Sequence, residues 1–131
     1  MIVLDTHAWL WWLSNPGLLS PTARRATERA AASKSVWVST ISTWEIAMLA
    51  ARGRLELSMP VSRWVRLSEA LPFLRFLPPD NAVLLQAAAL DESFPKDPAD
   101  RIIAATALHL ECPLVTKDQR LRSQPAPATI W

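Results

Sequence analysis

Short apolar runs, largely of β-branched residues, alternate along the chain with longer segments of helical periodicity. The runs have the length and composition of strands buried on both faces, and they lie at residues 2–4, 36–39, 73–77, 113–116 and 128–131. The segments between them predict helices at residues 7–13, 21–33, 41–52, 60–71, 83–90 and 98–111. Strands joined by helices imply right-handed crossovers, so the pattern predicts an α/β fold. We expect a three-layer α/β/α sandwich around a central parallel sheet of about five strands.

Local signals support the predicted ends of the helices. Ser20, Asp80 and Asp97 each precede a predicted helix and are suitable N-caps, because their side-chain oxygens can accept a free backbone N–H. Gly53 follows the third helix and is typical of a helix stop. Residues 91–96 form a polar segment around Phe94, which we predict to be an exposed loop.

Three tryptophans lie in the first predicted helix, at Trp9, Trp11 and Trp12. They could provide a stacking platform for nucleic acid, but we favour burial in the core or in a dimer contact.

The single cysteine, Cys112, excludes an internal disulfide framework and is expected to be a buried thiol.

Size and charge limit the possible classes of protein. A chain of 131 residues, half of them apolar, is expected to form one domain over residues 1–131. Fourteen Lys and Arg against 12 Asp and Glu give a net charge of +2, which permits a nucleic-acid partner without arguing for one. No window approaches the roughly 18 apolar residues of a membrane span, and Asp5 interrupts the N-terminal apolar run. We therefore expect a cytoplasmic protein.

Two acids directly follow predicted strands. Asp5 ends the first strand, and Asp118 follows the fourth, where it is also suited to capping the next turn. Ligands of open parallel sheets collect at the carboxyl ends of the strands, at the point where the winding reverses. If the first and fourth strands are neighbours there, Asp5 and Asp118 lie in one cleft.

Glu45 lies within the third predicted helix on a stripe that also holds Trp44 and Met48. We expect this stripe to face the core, where a lone carboxylate is costly unless it has a partner. Arg52 shares the stripe, so a structural salt bridge between Glu45 and Arg52 is the alternative to a functional role.

Two further acids open the sixth predicted helix. Asp97 is explained by capping, and we interpret it as mainly structural. Asp100 shares its helix face with Ile103 and Ala107, so it is expected to point toward the sheet. We therefore interpret Asp100 as functional.

Four carboxylates in one cleft require a compensating cation. Their mutual repulsion would otherwise raise their pKa values, and an all-oxygen cluster suits the hard ions Mg²⁺ and Mn²⁺. Such sites hydrolyse phosphodiester bonds with metal-activated water. Basic residues close in sequence to the third and fourth acids are expected to surround the cleft and attract RNA phosphates, with scattered solubilising charge as the alternative for each of them. They are Lys96, Arg101, Lys117, Arg120 and Arg122.

Four segments carry a family resemblance that covers nearly the whole chain. Residues 2–7, 42–46, 97–107 and 114–118 resemble the signature blocks of PIN-domain ribonucleases, most closely those of the VapC toxins of type II toxin-antitoxin pairs. The Asp-Pro-x-Asp-Arg block is the most specific part. The resemblance implies a PIN-like fold, a Mg²⁺- or Mn²⁺-dependent endoribonuclease acting on RNA, a homodimer, and a small antitoxin protein that blocks the active site.

The family's acidic quartet falls on Asp5, Glu45, Asp100 and Asp118 of this chain. These four are the predicted catalytic and metal-binding residues, with Asp5 and Asp100 as the principal ligands. Thr6 and Thr116 match positions where the family often has a hydroxyl that orients a carboxylate or a water molecule.

Two other functions remain as alternatives to a toxin. A PIN-type nuclease of RNA processing or decay would perform the same chemistry without toxicity. A nucleic-acid-binding module whose acids hold only structural ions would bind RNA without cutting it.

A phosphatase that forms an aspartyl-phosphate is excluded, because it would need a second aspartate two residues after Asp5, where the chain has His7. We assign no role to His7 or His109, because metal-activated water needs no histidine base.

Overall fold

In a computed structural model that describes residues 1–131, five strands alternate with α-helices. The strands are β1 (Ile2–Leu4), β2 (Val36–Ser39), β3 (Leu74–Leu77), β4 (Leu114–Val115) and β5 (Thr129–Ile130). The helices are α1 (Thr6–Ser14), α2 (Pro21–Ala32), α3 (Ile41–Ala51), α4 (Val61–Glu69), α5 (Asn81–Ala89), α6 (Pro98–His109) and α7 (Gln119–Arg122). None of these helices combines the length and apolar character needed to cross a membrane. The predicted elements are confirmed, with small differences at their ends.

All five strands belong to one parallel sheet with the order β3-β2-β1-β4-β5. The central strand β1 pairs with β2 on one side and with β4 on the other, and Leu4 is aligned with both Val38 and Val115. The winding therefore reverses at β1, which meets the condition for the first and fourth strands to share one cleft. This topology places the carboxyl ends of β1 and β4 side by side.

Alternate side chains of β1 pack against opposite helical layers. Ile2 and Leu4 join a cluster with Trp9 of α1 and with residues of α2 and α4. Val3 points the other way and packs with Ile103 of α6, and α5 packs on the same helix. Helices on both faces of the sheet confirm the three-layer α/β/α sandwich, since strands buried on both faces need cover on each.

The tryptophan of α1 that faces the sheet is a core residue. Trp9 is fully buried, with its ring centroid 4.7 Å from that of Trp64 and 5.4 Å from that of Phe76. Cys112 is a buried free thiol, as expected. Core burial is thus confirmed for Trp9.

The predicted helix signals act as expected. The side chains of Ser20, Asp80 and Asp97 each accept a hydrogen bond from a backbone N–H in the first helical turn that follows them. Gly53 ends the third helix with φ of +69°, a left-handed conformation that glycine adopts without a Cβ clash. These caps fix where α2, α3, α5 and α6 begin or end.

The loop at residues 91–96 differs from its prediction. Asp91, Glu92 and Lys96 are exposed, but Phe94 and Pro95 are buried. Phe94 packs with Val3 and Ile103 in the core between the sheet and α6. The prediction of an exposed loop was wrong at these two residues, because the polar neighbours of Phe94 conceal one large apolar side chain that enters the core.

Candidate active site

Asp5 and Asp118 follow the two strands that lie side by side at the centre of the sheet. Each carboxylate caps the next helix: Asp5 Oδ1 accepts a hydrogen bond from the N–H of Ala8 at 2.8 Å, and Asp118 Oδ1 accepts one from the N–H of Arg120 at 2.9 Å. The capping role predicted for Asp118 is confirmed, and Asp5 has the same role. Both side chains are thereby held at the carboxyl edge of the sheet.

Glu45 on α3 and Asp100 on α6 reach the same edge. All four acids line one cleft of about 460 Å³, which we call the acidic cleft. Its lining residues are Asp5, Thr6, His7, Trp11, Glu45, Asp97, Asp100, Ile103, Lys117, Asp118 and Arg120. The structure thus brings together the four acids indicated by the sequence, which are separated by up to 113 positions.

The surroundings of Glu45 differ from the expected core-facing stripe. Trp44 is 57% exposed, and the residues of α3 that enter the core are Ser42 and Ile46. Glu45 forms no ion pair with Arg52, which is exposed. The stripe prediction was wrong because α3 turns its Glu45 side toward the acidic cleft and a neighbouring groove rather than toward the sheet.

Buried hydroxyl groups hold two of the carboxylates. Thr6 donates a hydrogen bond to Glu45 Oε1, and its Oγ1 lies 2.9 Å from the hydroxyl oxygen of the fully buried Ser42. Since the Thr6 hydroxyl carries a single proton, it donates to only one of these two oxygens at a time. Thr116 is also fully buried, and its hydroxyl lowers the pKa of Asp5 against the effect of burial. Ser42 was not identified from the sequence, where a serine in a helix carries no distinctive signal.

A fifth acid, Asp97, also lines the acidic cleft. Its Oδ1 accepts a hydrogen bond from the N–H of Ala99 at 2.8 Å, so the predicted cap is confirmed. Its negative charge also raises the pKa values of Glu45 and Asp100. Asp97 therefore adds to the negative charge of the site. Its position three residues before Asp100 in the sequence is the feature that could have indicated that it lies at the same site.

The carboxylates of the cleft repel one another. Burial, followed by the charges of Asp97 and Glu45, raises the pKa of Asp100 to about 7, although Arg120 opposes the shift. Burial likewise raises the pKa values of Glu45 and Asp5. Three of the predicted site residues thus lie where negative charge is unfavourable without a cation.

Asp118 is the exception among the four. Hydrogen bonds from the Arg120 guanidinium hold the pKa of Asp118 below its usual range. Arg120 Nη2 lies 2.8 Å from Asp118 Oδ2 and 3.6 Å from Asp100 Oδ2, and its Nε lies 3.2 Å from Asp118 Oδ1. One arginine therefore spans two of the predicted site acids.

Of the five basic residues expected around the cleft, only Lys117 and Arg120 line it. The prediction was wrong for Lys96 and Arg122, whose side chains are exposed elsewhere, and for Arg101. Sequence proximity does not fix direction, because successive residues of a helix point to different sides.

The side chain of Arg101 enters what we call the carbonyl cage, formed by the backbone oxygens of Ala87, Leu90, Asp91 and Pro95. Nε donates to Ala87 at 3.1 Å, Nη1 lies 3.4 Å from the oxygens of Asp91 and Pro95, and Nη2 donates to Leu90. Arg101 thus ties the end of α5 and the following loop to α6.

Aromatic residues form one wall of the acidic cleft. The rings of His7 and Trp11 lie 5.4 Å apart, and Lys117 Nζ lies 5.9 Å from the centre of the Trp11 ring. Trp11 is only partly buried, unlike Trp9. His7, to which the sequence assigned no role, lines the cleft and favours the charged form of Asp5.

The donor set of the cleft suits a hard divalent cation, because it consists of carboxylate oxygens carrying unrelieved negative charge. As they stand, no three Asp, Glu, His or Cys side chains are grouped closely enough to hold a metal ion. Protein donors already engage oxygens of Asp5, Glu45 and Asp118. Binding of an ion would therefore exchange some of these contacts for coordination.

Comparison with known proteins identifies the family. A family model for the PIN domain matches residues 2–126. Ribonuclease VapC22 of Mycobacterium tuberculosis (strain ATCC 25618 / H37Rv) is 42% identical over 133 residues, which cover 99% of this chain and 98% of that protein.

Three solved structures share the fold. VapBC2 from Rickettsia felis, bound to a DNA fragment from its promoter, superposes with a TM-score of 0.70 at 16% identity over 98% of this chain and 97% of that one. FitAcB from Neisseria gonorrhoeae gives 0.65 at 26% identity over 98% and 96% of the two chains. A toxin-antitoxin complex from Klebsiella pneumoniae gives 0.64 at 19% identity over 98% and 95%. With its signature blocks in place and its fold matched throughout, the chain belongs to the PIN-domain family and, within it, to the VapC proteins.

Proposed function

We propose that this protein is a Mg²⁺- or Mn²⁺-dependent endoribonuclease and the toxin of a type II toxin-antitoxin pair. The observation that carries the proposal is the convergence of Asp5, Glu45, Asp100 and Asp118 in one cleft, with raised pKa values at three of them. Perturbed acids in a shared cleft are typical of catalytic sites. The identity to a protein named as a ribonuclease supports the same activity.

In this proposal the four acids are the catalytic residues and the metal ligands, with Asp5 and Asp100 as the principal ligands. A bound divalent ion supplies a Lewis acid that activates water for attack on a phosphodiester bond. Thr6 orients Glu45, and Thr116 stabilises the charged form of Asp5. Lys117 lies at the cleft as a positive charge for RNA phosphates.

The proposed partners are RNA, a small antitoxin and a second copy of the chain. Complexes of toxin and antitoxin are among the solved structures that share this fold, which supports the antitoxin. The homodimer is what the family resemblance implies, and the cytoplasmic location stays a prediction from the sequence. We further propose that residues 1–131 form a single PIN domain, since the sheet takes in strands from both ends of the chain.

The proposal is tested by RNA cleavage and growth arrest measured together. The wild-type protein, Asp5→Asn and Asp100→Asn are induced in cells, and the purified proteins are assayed on RNA with Mg²⁺, Mn²⁺ or EDTA. We expect cleavage only with a divalent ion, at least about 100-fold less cleavage by either variant, and growth arrest by the wild type alone.

Glu92→Gln is the matched control, because Glu92 is an exposed acid outside the acidic cleft. It should retain full activity. Cleavage in EDTA, or full activity of both aspartate variants, would contradict the mechanism. Metal-dependent cleavage without growth arrest would instead favour a nuclease of RNA processing.

A further inference from the structure

We propose that Arg120 is an internal counter-cation that is exchanged for the divalent ion. In the free protein its guanidinium lies across Asp118 and Asp100; when an ion binds these acids, Arg120 leaves them and contacts an RNA phosphate. The inference rests on the proposed function, because it requires an ion and RNA at the acidic cleft.

The contacts of Arg120 motivate the first half of the proposal. Nε and Nη2 engage the two oxygens of Asp118 at 3.2 and 2.8 Å, and Nη2 also lies 3.6 Å from Asp100 Oδ2. Every hydrogen bond of the guanidinium is made to a carboxylate of the site. Both oxygens of Asp118 are thus occupied by a cation of this chain, in the fork geometry that arginine forms with carboxylates.

The same contacts explain why an ion and Arg120 exclude each other. Arg120 occupies a lone pair on each oxygen of Asp118 and faces Asp100 Oδ2, so an ion that approaches the same side of these carboxylates meets the guanidinium. Two cations side by side also repel each other. Because the Arg120 side chain is 62% exposed, its ion pairs are screened by water and are weak enough to be replaced.

The position of Arg120 supports the second half. It belongs to the short helix α7 at the opening of the cleft, beside Lys117, so its released side chain remains where RNA would enter. Arginine binds phosphate oxygens with the same two-pronged geometry that it uses for carboxylates. Exchange would therefore couple the arrival of the ion to the capture of the strand.

Mn²⁺ binding to the metal-free protein, measured by calorimetry without RNA, tests the exchange. Arg120→Ala should bind Mn²⁺ about two- to fivefold more tightly than the wild type, because the ion no longer displaces a cation. Arg120→Gln, which retains a polar side chain, should behave alike. Arg122→Ala removes the same charge from the same helix outside the cleft and should leave the affinity unchanged.

RNA binding in Mn²⁺, measured with a fluorescent oligouridine on the Glu45→Gln background to prevent cleavage, gives a second readout. Arg120→Ala should weaken binding and reduce the slope of log affinity against log salt by about 0.7, the value of one phosphate contact on a single strand. An arginine that merely held α7 in place would instead lower the affinity for both Mn²⁺ and RNA.

The outcomes separate the two proposals. If the wild type shows no saturable Mn²⁺ binding, the proposed function fails. If it binds Mn²⁺ but Arg120→Ala has the affinity of Arg122→Ala, or binds more weakly, the exchange is wrong. An unchanged RNA affinity in Arg120→Ala would also overturn it.

Discussion

The carbonyl cage and the acidic cleft differ in whether their charged groups find compensating partners within the protein. In the cage, the single charge of Arg101 is surrounded by four neutral backbone oxygens that accept its hydrogen bonds. In the cleft, five carboxylates share two cationic side chains, and burial together with the charges of neighbouring acids raises the pKa of Asp100 to about 7. The cage satisfies its groups internally and stabilises the fold, whereas the cleft leaves charge unbalanced and available to a ligand.

The sharpest test of the cage is the variant Arg101→Ala. It removes one donor from each of four carbonyl groups, of which only those of Ala87 and Asp91 keep a backbone N–H, so the free energy of unfolding should fall by about 2–3 kcal/mol. Urea denaturation measures this change. Arg101→Lys should recover only part of the loss, because one ammonium group cannot reach all four oxygens. A loss below about 0.5 kcal/mol would show that water replaces the arginine without cost.

Removing a charge from the acidic cleft should instead raise the free energy of unfolding. Asp100 has a folded pKa of about 7 against an ordinary value of 3.8, so between these values the folded state binds more protons than the unfolded state. The contribution of Asp100 therefore lowers stability as pH rises through that window. Asp100→Asn should stabilise the metal-free protein above pH 7 by about 2 kcal/mol, a figure reduced for partial exposure, and should have little effect near pH 3.8.

Thermal unfolding in EDTA across this pH range provides the measurement. A gain that is independent of pH would mean that the ionisation of Asp100 in the cleft is not its source.

An exposed ion pair outside both regions is expected to have the smallest effect on the free energy of unfolding. Arg24 and Glu28 lie one turn apart on α2, with Nε and Oε1 separated by 2.9 Å and both side chains more than half exposed. Glu28→Gln should change the free energy of unfolding by less than about 0.5 kcal/mol, because water screens the pair. A change as large as that of Arg101→Ala would remove the contrast between an exposed charge and an enclosed one.

The sequence alone determined the elements, their order and four of the five acids of the cleft. Apolar runs marked the strands, and cap residues such as Ser20 and Asp80 marked helix ends, because these signals act over a few neighbouring residues. The acids at strand ends were predictable too, since parallel topology carries the ends of β1 and β4 to one edge. Their catalytic role stays a proposal.

Only the tertiary structure decided which way side chains point once helices pack. It turned Arg101 into the carbonyl cage, brought Asp97 into the cleft, and placed Arg120 across Asp118 and Asp100. It also buried Phe94 within a polar loop and exposed Trp44. These outcomes depend on contacts between residues far apart in the chain, where the direction of a whole helix outweighs local preference. The charge balance of the cleft depends on that packing and could not be predicted from the spacing of the residues in the sequence.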